Sequence, residues 1–206
     1  MIIHHFEQRS YEWYLMRRAK VTGTSIKDLF KSDYLEVADR LIAEEETEEI
    51  PDESFVSDDM QRGIDLEPYA IKEYELIRNL KVTSIGFAQH DSLFPWFGIS
   101  SDGLVYNDDV VIGAVEVKCP TTKVHVKRLR QNKLPNEYKY QVYSHFLISD
   151  TIEWVDFISY DPRFTRKPIF IHRTYRTECI EEIENMRTKL LEFESKLIDL
   201  KEQILF

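Results

Sequence analysis

Ser100-Ser101-Asp102-Gly103-Leu104-Val105-Tyr106 and Val110-Val111-Ile112-Gly113-Ala114-Val115-Glu116-Val117-Lys118-Cys119-Pro120 flank a turn signal at Asn107-Asp108-Asp109. Two segments rich in β-branched residues around such a turn predict an antiparallel hairpin. Pro120 ends the second strand because it brings no N–H to a ladder. Side chains alternate along a strand, so Glu116 and Lys118 share one face, while Val117 points into the core and leaves its carbonyl beside them. Asp102 falls on the neighbouring strand. Two carboxylates and a carbonyl form an incomplete, all-oxygen shell suited to Mg²⁺, with Mn²⁺ as a substitute. Next to such an ion, Lys118 would orient a water or balance charge on a phosphoryl group, which is the chemistry of phosphodiester hydrolysis. Gly103, directly after the Asp, permits close approach of a backbone or a ligand.

Working outward, residues 82–90 and 94–100 also alternate and extend the hairpin into an antiparallel meander. A helix is expected from about Lys123 to Gln131, and Pro135-Asn136 opens another that runs to about Ile148. Strands follow near 153–160 and 168–175. On the other side, helices are predicted over 10–19, up to Phe30, over 35–45, and from Asp58 to Arg78. A Ser or Thr in Thr22-Gly23-Thr24-Ser25 can cap the second of these. On the Asp58–Arg78 helix, Ile64, Tyr69 or Ala70, Ile71 and Tyr74 fall on the buried side. The acidic segment 44–59, around Pro51, reads as a surface loop. The last element, 178–204, carries Ile183, Met186, Leu190, Phe193, Leu197, Leu200 and Ile204 on one seam, which fits either a helix packed on its own domain or a subunit-bridging coiled coil. These elements predict an α/β architecture, a central mixed β-sheet flanked by helices, in a single domain spanning 1–206.

The chain has 206 residues, 43% of them hydrophobic, enough for one sizeable core. Its formal net charge of −10 argues at first sight against nucleic-acid binding. The excess is local, however: residues 36–67 hold thirteen acids and two bases, while Lys123, Lys127, Arg128, Arg130 and Lys133 form a run without an acid. That basic run follows the Glu116–Lys118 strand directly and could lead a phosphate backbone to it. Arg17 is a fixed cation suited to a terminal phosphate, and the hydroxyls of Thr24, Ser25 and Ser100 are ordinary phosphate donors. His90 and His125 could also touch DNA, and no His/Cys spacing suggests zinc. Cys119 and Cys179 are too few for a disulfide framework, no secretory signal is evident and no apolar run is long enough to span a bilayer, so a cytoplasmic protein outside the membrane is expected.

Asp102 with Glu116-Val117-Lys118 on the next strand resembles the PD-(D/E)XK nuclease motif, with Ser101 in place of the usual proline. More specifically, the chain resembles the lambda exonuclease, or YqaJ-like viral recombinase (alkaline exonuclease), family. The resemblance rests on Gln8-Arg9-Ser10 with Trp13 and Arg17, Val21-Thr22-Gly23-Thr24-Ser25, Gly63 through Glu67-Pro68 to Tyr74-Glu75, the two blocks above, Tyr138-Lys139-Tyr140-Gln141-Val142, and Ser159-Tyr160-Asp161-Pro162-Arg163. It implies a restriction-endonuclease-like PD-(D/E)XK core. It further implies Asp102, Glu116 and the Val117 carbonyl as metal ligands, Lys118 as the catalytic lysine, and Glu67 with Gln141 as groups that position water or phosphate. Arg17, Thr24 and Ser100 fall where the family binds a 5′-phosphate.

The implied activity is Mg²⁺-dependent 5′→3′ degradation of one strand of double-stranded DNA. Such enzymes leave 3′ overhangs for a single-strand annealing protein, often as a homotrimeric ring, in phage or prophage recombination within a bacterial cytosol. Two other readings stay open on the sequence: a structure-specific or restriction-like endonuclease with the same core, and a DNA-end-binding module with a vestigial site.

Overall fold

A computed structural model describes residues 1–31, 34–47, 57–91 and 94–205. Among the described residues, eight strands form two four-stranded mixed sheets. The first contains β1 (Ile2–His4), β2 (Val21–Thr22), β3 (Phe87–Gln89) and β4 (Phe97–Ile99) in the order β1-β3-β4-β2, with only the β2/β4 pair parallel. The second contains β5 (Gly103–Asn107), β6 (Val110–Lys118), β7 (Trp154–Tyr160) and β8 (Ile169–Tyr175) in sequence order, with β6/β7 parallel and its two outer pairs antiparallel. The hairpin therefore forms as expected, its turn closed by Asp108 in the left-handed region at φ 50°. The meander does not run on through it: the chain leaves the first sheet after Ile99 and enters the second at Gly103. Strong alternation on both sides of the break hides it in the sequence. Gly103 serves packing here, since a Cβ would lie 2.1 Å from Val82 Cγ1.

The helices are α1 (Tyr11–Arg17), α2 (Leu35–Thr47), α3 (Asp58–Arg78), α4 (Thr122–Gln131), α5 (Lys139–Ile148) and α6 (Ile180–Leu205). Ser10 caps α1 by accepting from the Trp13 N–H, and Ser57 caps α3 through Met60. Asn79 and Asn132, in left-handed geometry, end α3 and α4. The segment Ile26–Phe30 is a 3₁₀ turn, and Ser25 does not cap it: its hydroxyl faces Thr22 instead. Of the expected acidic loop 44–59, residues 44–47 are helical in α2, 58–59 open α3, and 48–56 lie outside the described residues.

β6 separates two apolar layers by alternation. Val115, Val117 and Cys119 face α3, where they pack with Ala70, Tyr74, Ile158 and Tyr160. Tyr69, a candidate for that face, is 64% exposed, and Ala70 takes its place. Ala114 on the opposite side joins the larger core with α5, α6, α2 and the first sheet. α5 is buried almost all round from Val142 to Ile148, as a helix apolar on every side must be. Ile183, Met186, Leu190, Phe193 and Leu197 of α6 enter the same core, while Ile204 is exposed; most of the seam is thus consumed within the chain. Among the described residues no helix is long and apolar enough to cross a membrane. Both cysteines are free and buried.

Candidate active site

Beyond Ala114, the same strand face carries Glu116 and Lys118 out of the apolar layer into a cavity of about 670 Å³. α1, the start of α3, the end of β4 and the N-terminal turn of α5 enclose the rest of it. Asp102, Glu116, Val117, Lys118, Glu67, Gln141, Arg17, Thr24, Ser100 and Arg128 all line this space. Ser25, Lys123, Lys127 and Arg130 do not. Ser25 opens onto a neighbouring hollow shared by Arg17 and Thr24, and the three other bases are exposed on α4.

Asp102 sits one residue before β5 and accepts the Val117 N–H on Oδ2 at 2.6 Å, which ties the loop to the strand that carries Glu116 and Lys118. Glu116 is 1% exposed. Its Oε1 accepts from both Lys118 Nζ and Gln141 Nε2, whereas Oε2 is buried with no hydrogen-bond partner. A buried carboxylate oxygen without a donor costs roughly 1–3 kcal/mol or more. Such an oxygen in a native fold calls for a partner, an ordered water or a bound cation.

The carboxylates are not at ease electrostatically. Burial, with a contribution from Asp102, raises Glu67 to about 7. Burial and the Glu116 charge raise Asp102, and burial also raises Glu116. For Lys118, burial opposes the ammonium, but Glu116 and Asp102 together outweigh it and keep the lysine charged. Glu67, Asp102 and Glu116 are therefore short of positive charge even with Lys118 beside them and Arg9 4.0 Å from Glu67.

That shortage, the orphaned Glu116 Oε2 and an oxygen-only donor set fit a hard divalent cation held by Asp102, Glu116 and the Val117 carbonyl. Among the described residues no group of three or more His, Cys, Asp or Glu is placed to hold a metal ion, so the candidate shell rests on two carboxylates and a carbonyl. Two carboxylates and a carbonyl would leave coordination positions for water and substrate, the arrangement of a catalytic rather than a structural ion.

Around this centre stand Arg17, Ser100 and Thr24, which the sequence put forward, and Arg9 and His145, which it did not put forward as site residues. The Arg17 guanidinium lies 4.0 Å over the Trp13 ring, and both donate to Ser100 Oγ, at 3.3 and 2.9 Å. Thr22 Oγ1 links Thr24 and Ser25 at 3.0 and 3.2 Å. Arg9 reaches the cavity 4.0 Å from Glu67 Oε2. His145, buried at 1% exposure, lies behind Ser101: its Nδ1 faces the Gln141 carbonyl at 3.1 Å and its Nε2 lies 3.2 Å from Ser101 Oγ. Burial lowers His145 to about 4, so the ring is neutral. Since the carbonyl can only accept, Nδ1 carries the proton and Nε2 is left as an acceptor 3.2 Å from Ser101 Oγ, whose one proton is also directed at the Gly103 carbonyl at 2.9 Å. Ser101 thus ties the Asp102 loop to α5, at the position where the motif usually has a proline.

Two basic-run expectations change. Arg128 is 3% exposed and donates to Ser159 Oγ and the Tyr138 hydroxyl, so it is part of the cavity wall and not of the exposed basic surface of α4. His125 is fully buried between Ser159 and the Lys167 carbonyl and cannot reach DNA.

Comparisons with known proteins place the family and the fold. Residues 12–151 match the YqaJ-like viral recombinase domain. The fold is similar to the crystal structure of an alkaline exonuclease (LHK-Exo) from Laribacter hongkongensis, at 30% sequence identity and TM-score 0.77, covering 94% of this chain and 97% of that one. A structure of LHK-Exo in complex with dAMP matches equally well. A phage-related exonuclease from Haemophilus somnus 129PT shares the fold at 15% identity and TM-score 0.52, over 88% and 96% of the two chains. No curated protein sequence matches the chain. With its paired carboxylates, lysine and arginine gathered in one cavity, and two thirds of its length matched, the chain belongs to the YqaJ-like viral recombinase family of phage-type exonucleases.

Proposed function

We propose that this protein is a Mg²⁺-dependent 5′→3′ exonuclease on double-stranded DNA, built on a PD-(D/E)XK core, that produces 3′ overhangs for recombination by single-strand annealing. The observation that carries this reading is the buried, unpartnered Glu116 Oε2 beside Asp102 and Lys118, in the same cavity as the Arg17–Ser100 pair. A bound divalent ion would stabilise charge on a non-bridging phosphate oxygen and make water more acidic. Gln141 holds Glu116 in place through Oε1, and the Val117 N–H does the same for Asp102. Lys118, kept protonated, offers its ammonium to the charge that develops on the phosphate. Glu67, with a pKa near 7, can hold or release a proton at its carboxylate next to the attacking water. Arg17 offers a planar, permanent cation to a terminal 5′-phosphate, with Thr24 and Ser100 as hydroxyl partners.

The dAMP complex of the Laribacter protein is that of a nucleoside monophosphate, the size of product such an exonuclease would release. Family resemblance further supports a homotrimeric ring, an annealing partner, and action in the cytosol of a phage-infected or lysogenic bacterium. Linear duplex labelled at each 5′ and 3′ end in turn, incubated in Mg²⁺, Ca²⁺ or EDTA, tests the reading. Loss of 5′ label first, in Mg²⁺ only, is expected. Digestion of covalently closed circles, or 3′-first loss, would overturn it. Sedimentation near three times 24.6 kDa would support the ring.

A further inference from the structure

Arg9 is the one long side chain of the cavity whose backbone is held against its own preference. Five non-glycine residues among those described have positive φ. Asn79, Asn132 and Asp108 are types that tolerate the left-handed region. Arg9, at φ 69°, and Ala19, at φ 52°, are not. A glycine would relieve the strain at either position; at Arg9 the strained backbone also carries a charged side chain into the cavity. That side chain is 42% exposed and lines the cavity.

The other cavity cations are engaged. Lys118 is held by Glu116, Arg62 donates to the Cys119 carbonyl and Asp59, and Arg17 rests on Trp13 and Ser100. Arg9 makes no hydrogen bond among the described residues: its approach to Glu67, at 4.0 Å, is longer than one. A guanidinium fork exposed to a water-accessible space, with only a long ion pair to Glu67 and no hydrogen bond, keeps donors for an anion. Its place in the chain also matters. Arg9 precedes α1 and Arg17 ends it, and the two cations reach different groups of the cavity, Arg17 at Ser100 and Arg9 at Glu67.

We infer that Arg9 is a second phosphate-binding residue of the site, contacting a backbone phosphate of the DNA strand at the Glu67 end of the cavity while Arg17 serves the terminal one. This rests on the nuclease reading above. The contact is sequence-independent, because it reads the phosphodiester and not a base. It explains why a strained arginine occupies a position suited to glycine.

The test compares wild type with Arg9→Gly and Arg9→Lys in two measurements. Digestion of linear duplex in Mg²⁺ by wild type comes first, since its absence would overturn the nuclease reading and the Arg9 assignment with it. Binding of a 5′-phosphorylated duplex end is then followed by anisotropy in Ca²⁺ across a salt series. Loss of one phosphate contact should lower the slope of log K against log[salt] by about 0.7–0.9. We expect that loss in Arg9→Gly, with affinity reduced about three- to tenfold, and recovery of the slope in Arg9→Lys, which keeps the charge. The melting temperature of Arg9→Gly should be equal or higher, which rules out simple unfolding. If wild type digests DNA but the Arg9→Gly slope is unchanged, Arg9 only props Glu67 and the inference fails.

Discussion

Glu116 and Asp156 lie on adjacent strands of the same sheet, and both carboxylates are removed from solvent. Asp156 is saturated. Arg173 donates to both of its oxygens at 2.8 and 2.7 Å, Tyr74 adds a bond at 2.7 Å, and Arg78 stands 3.6 Å away. Glu116 has two donors on one oxygen and none on the other. One buried charge is fully compensated by the fold and acts as a strut. The other is compensated only in part, and its deficit is what a ligand would fill. Burial alone does not distinguish a structural carboxylate from a functional one; the count of donors does.

The contrast breaks most visibly in activity. Asp102→Asn or Lys118→Ala should reduce hydrolysis in Mg²⁺ by about a thousandfold or more while the protein still binds duplex ends, because both groups act on the reacting phosphate. Appreciable turnover in either variant, measured by release of acid-soluble label, would remove the site from the chemistry.

Stability should respond the other way round. Asp156→Ala strands the Arg173 guanidinium and the Tyr74 hydroxyl, and urea denaturation should show a loss of about 3–5 kcal/mol. Asp102→Asn, by contrast, should melt no lower than wild type in EDTA at about pH 8, and higher if its charge is as costly as its surroundings imply. The sign follows from linkage: Asp102 and Glu67 have raised pKa values in the fold, so the stability they contribute is present below about pH 4 and is lost as pH rises towards 7. Mg²⁺ should restore part of that loss in wild type and little of it in Asp102→Asn. A wild-type melting temperature indifferent to Mg²⁺ at pH 8 would argue that no ion occupies the site.

Arg17→Ala should narrow the preference for 5′-phosphorylated over 5′-hydroxyl ends by about tenfold, the usual scale for a charge-assisted contact. An unchanged ratio would move the terminal phosphate elsewhere. The smallest expected effect is a change of profile: Glu67→Gln should flatten the rise in rate across about pH 6–8, since the wild-type carboxylate must be ionised to accept a proton.

Much of this was legible in residue order. The hairpin at Asn107-Asp108-Asp109, the helix from Asp58 to Arg78, and the side shared by Glu116 and Lys118 follow from period-two and period-3.6 patterns, which depend only on local geometry. The seam on α6 was equally visible, but whether it would close on its own chain was not, because an apolar stripe does not name its partner. The role of the basic run was only partly visible: Lys123, Lys127 and Arg130 are on the surface of α4, whereas Arg128 turns inward to Tyr138 and Ser159. Charge counting cannot see which side of a helix will be covered.

By itself, the sequence determined the α/β character, the strand and helix positions around 100–175, and the pairing of two carboxylates with a lysine, since each is written in periodicity or in adjacent residues. Only the tertiary structure decided that the strands split into two sheets after Ile99, that Glu67, Gln141, Arg17 and Arg9 meet Asp102 and Glu116 in one cavity, and that His145 supports Ser101 from behind. Those contacts join residues up to about a hundred positions apart, and their energy comes from burial and from missing or matched donors, quantities that exist only once the chain has closed on itself.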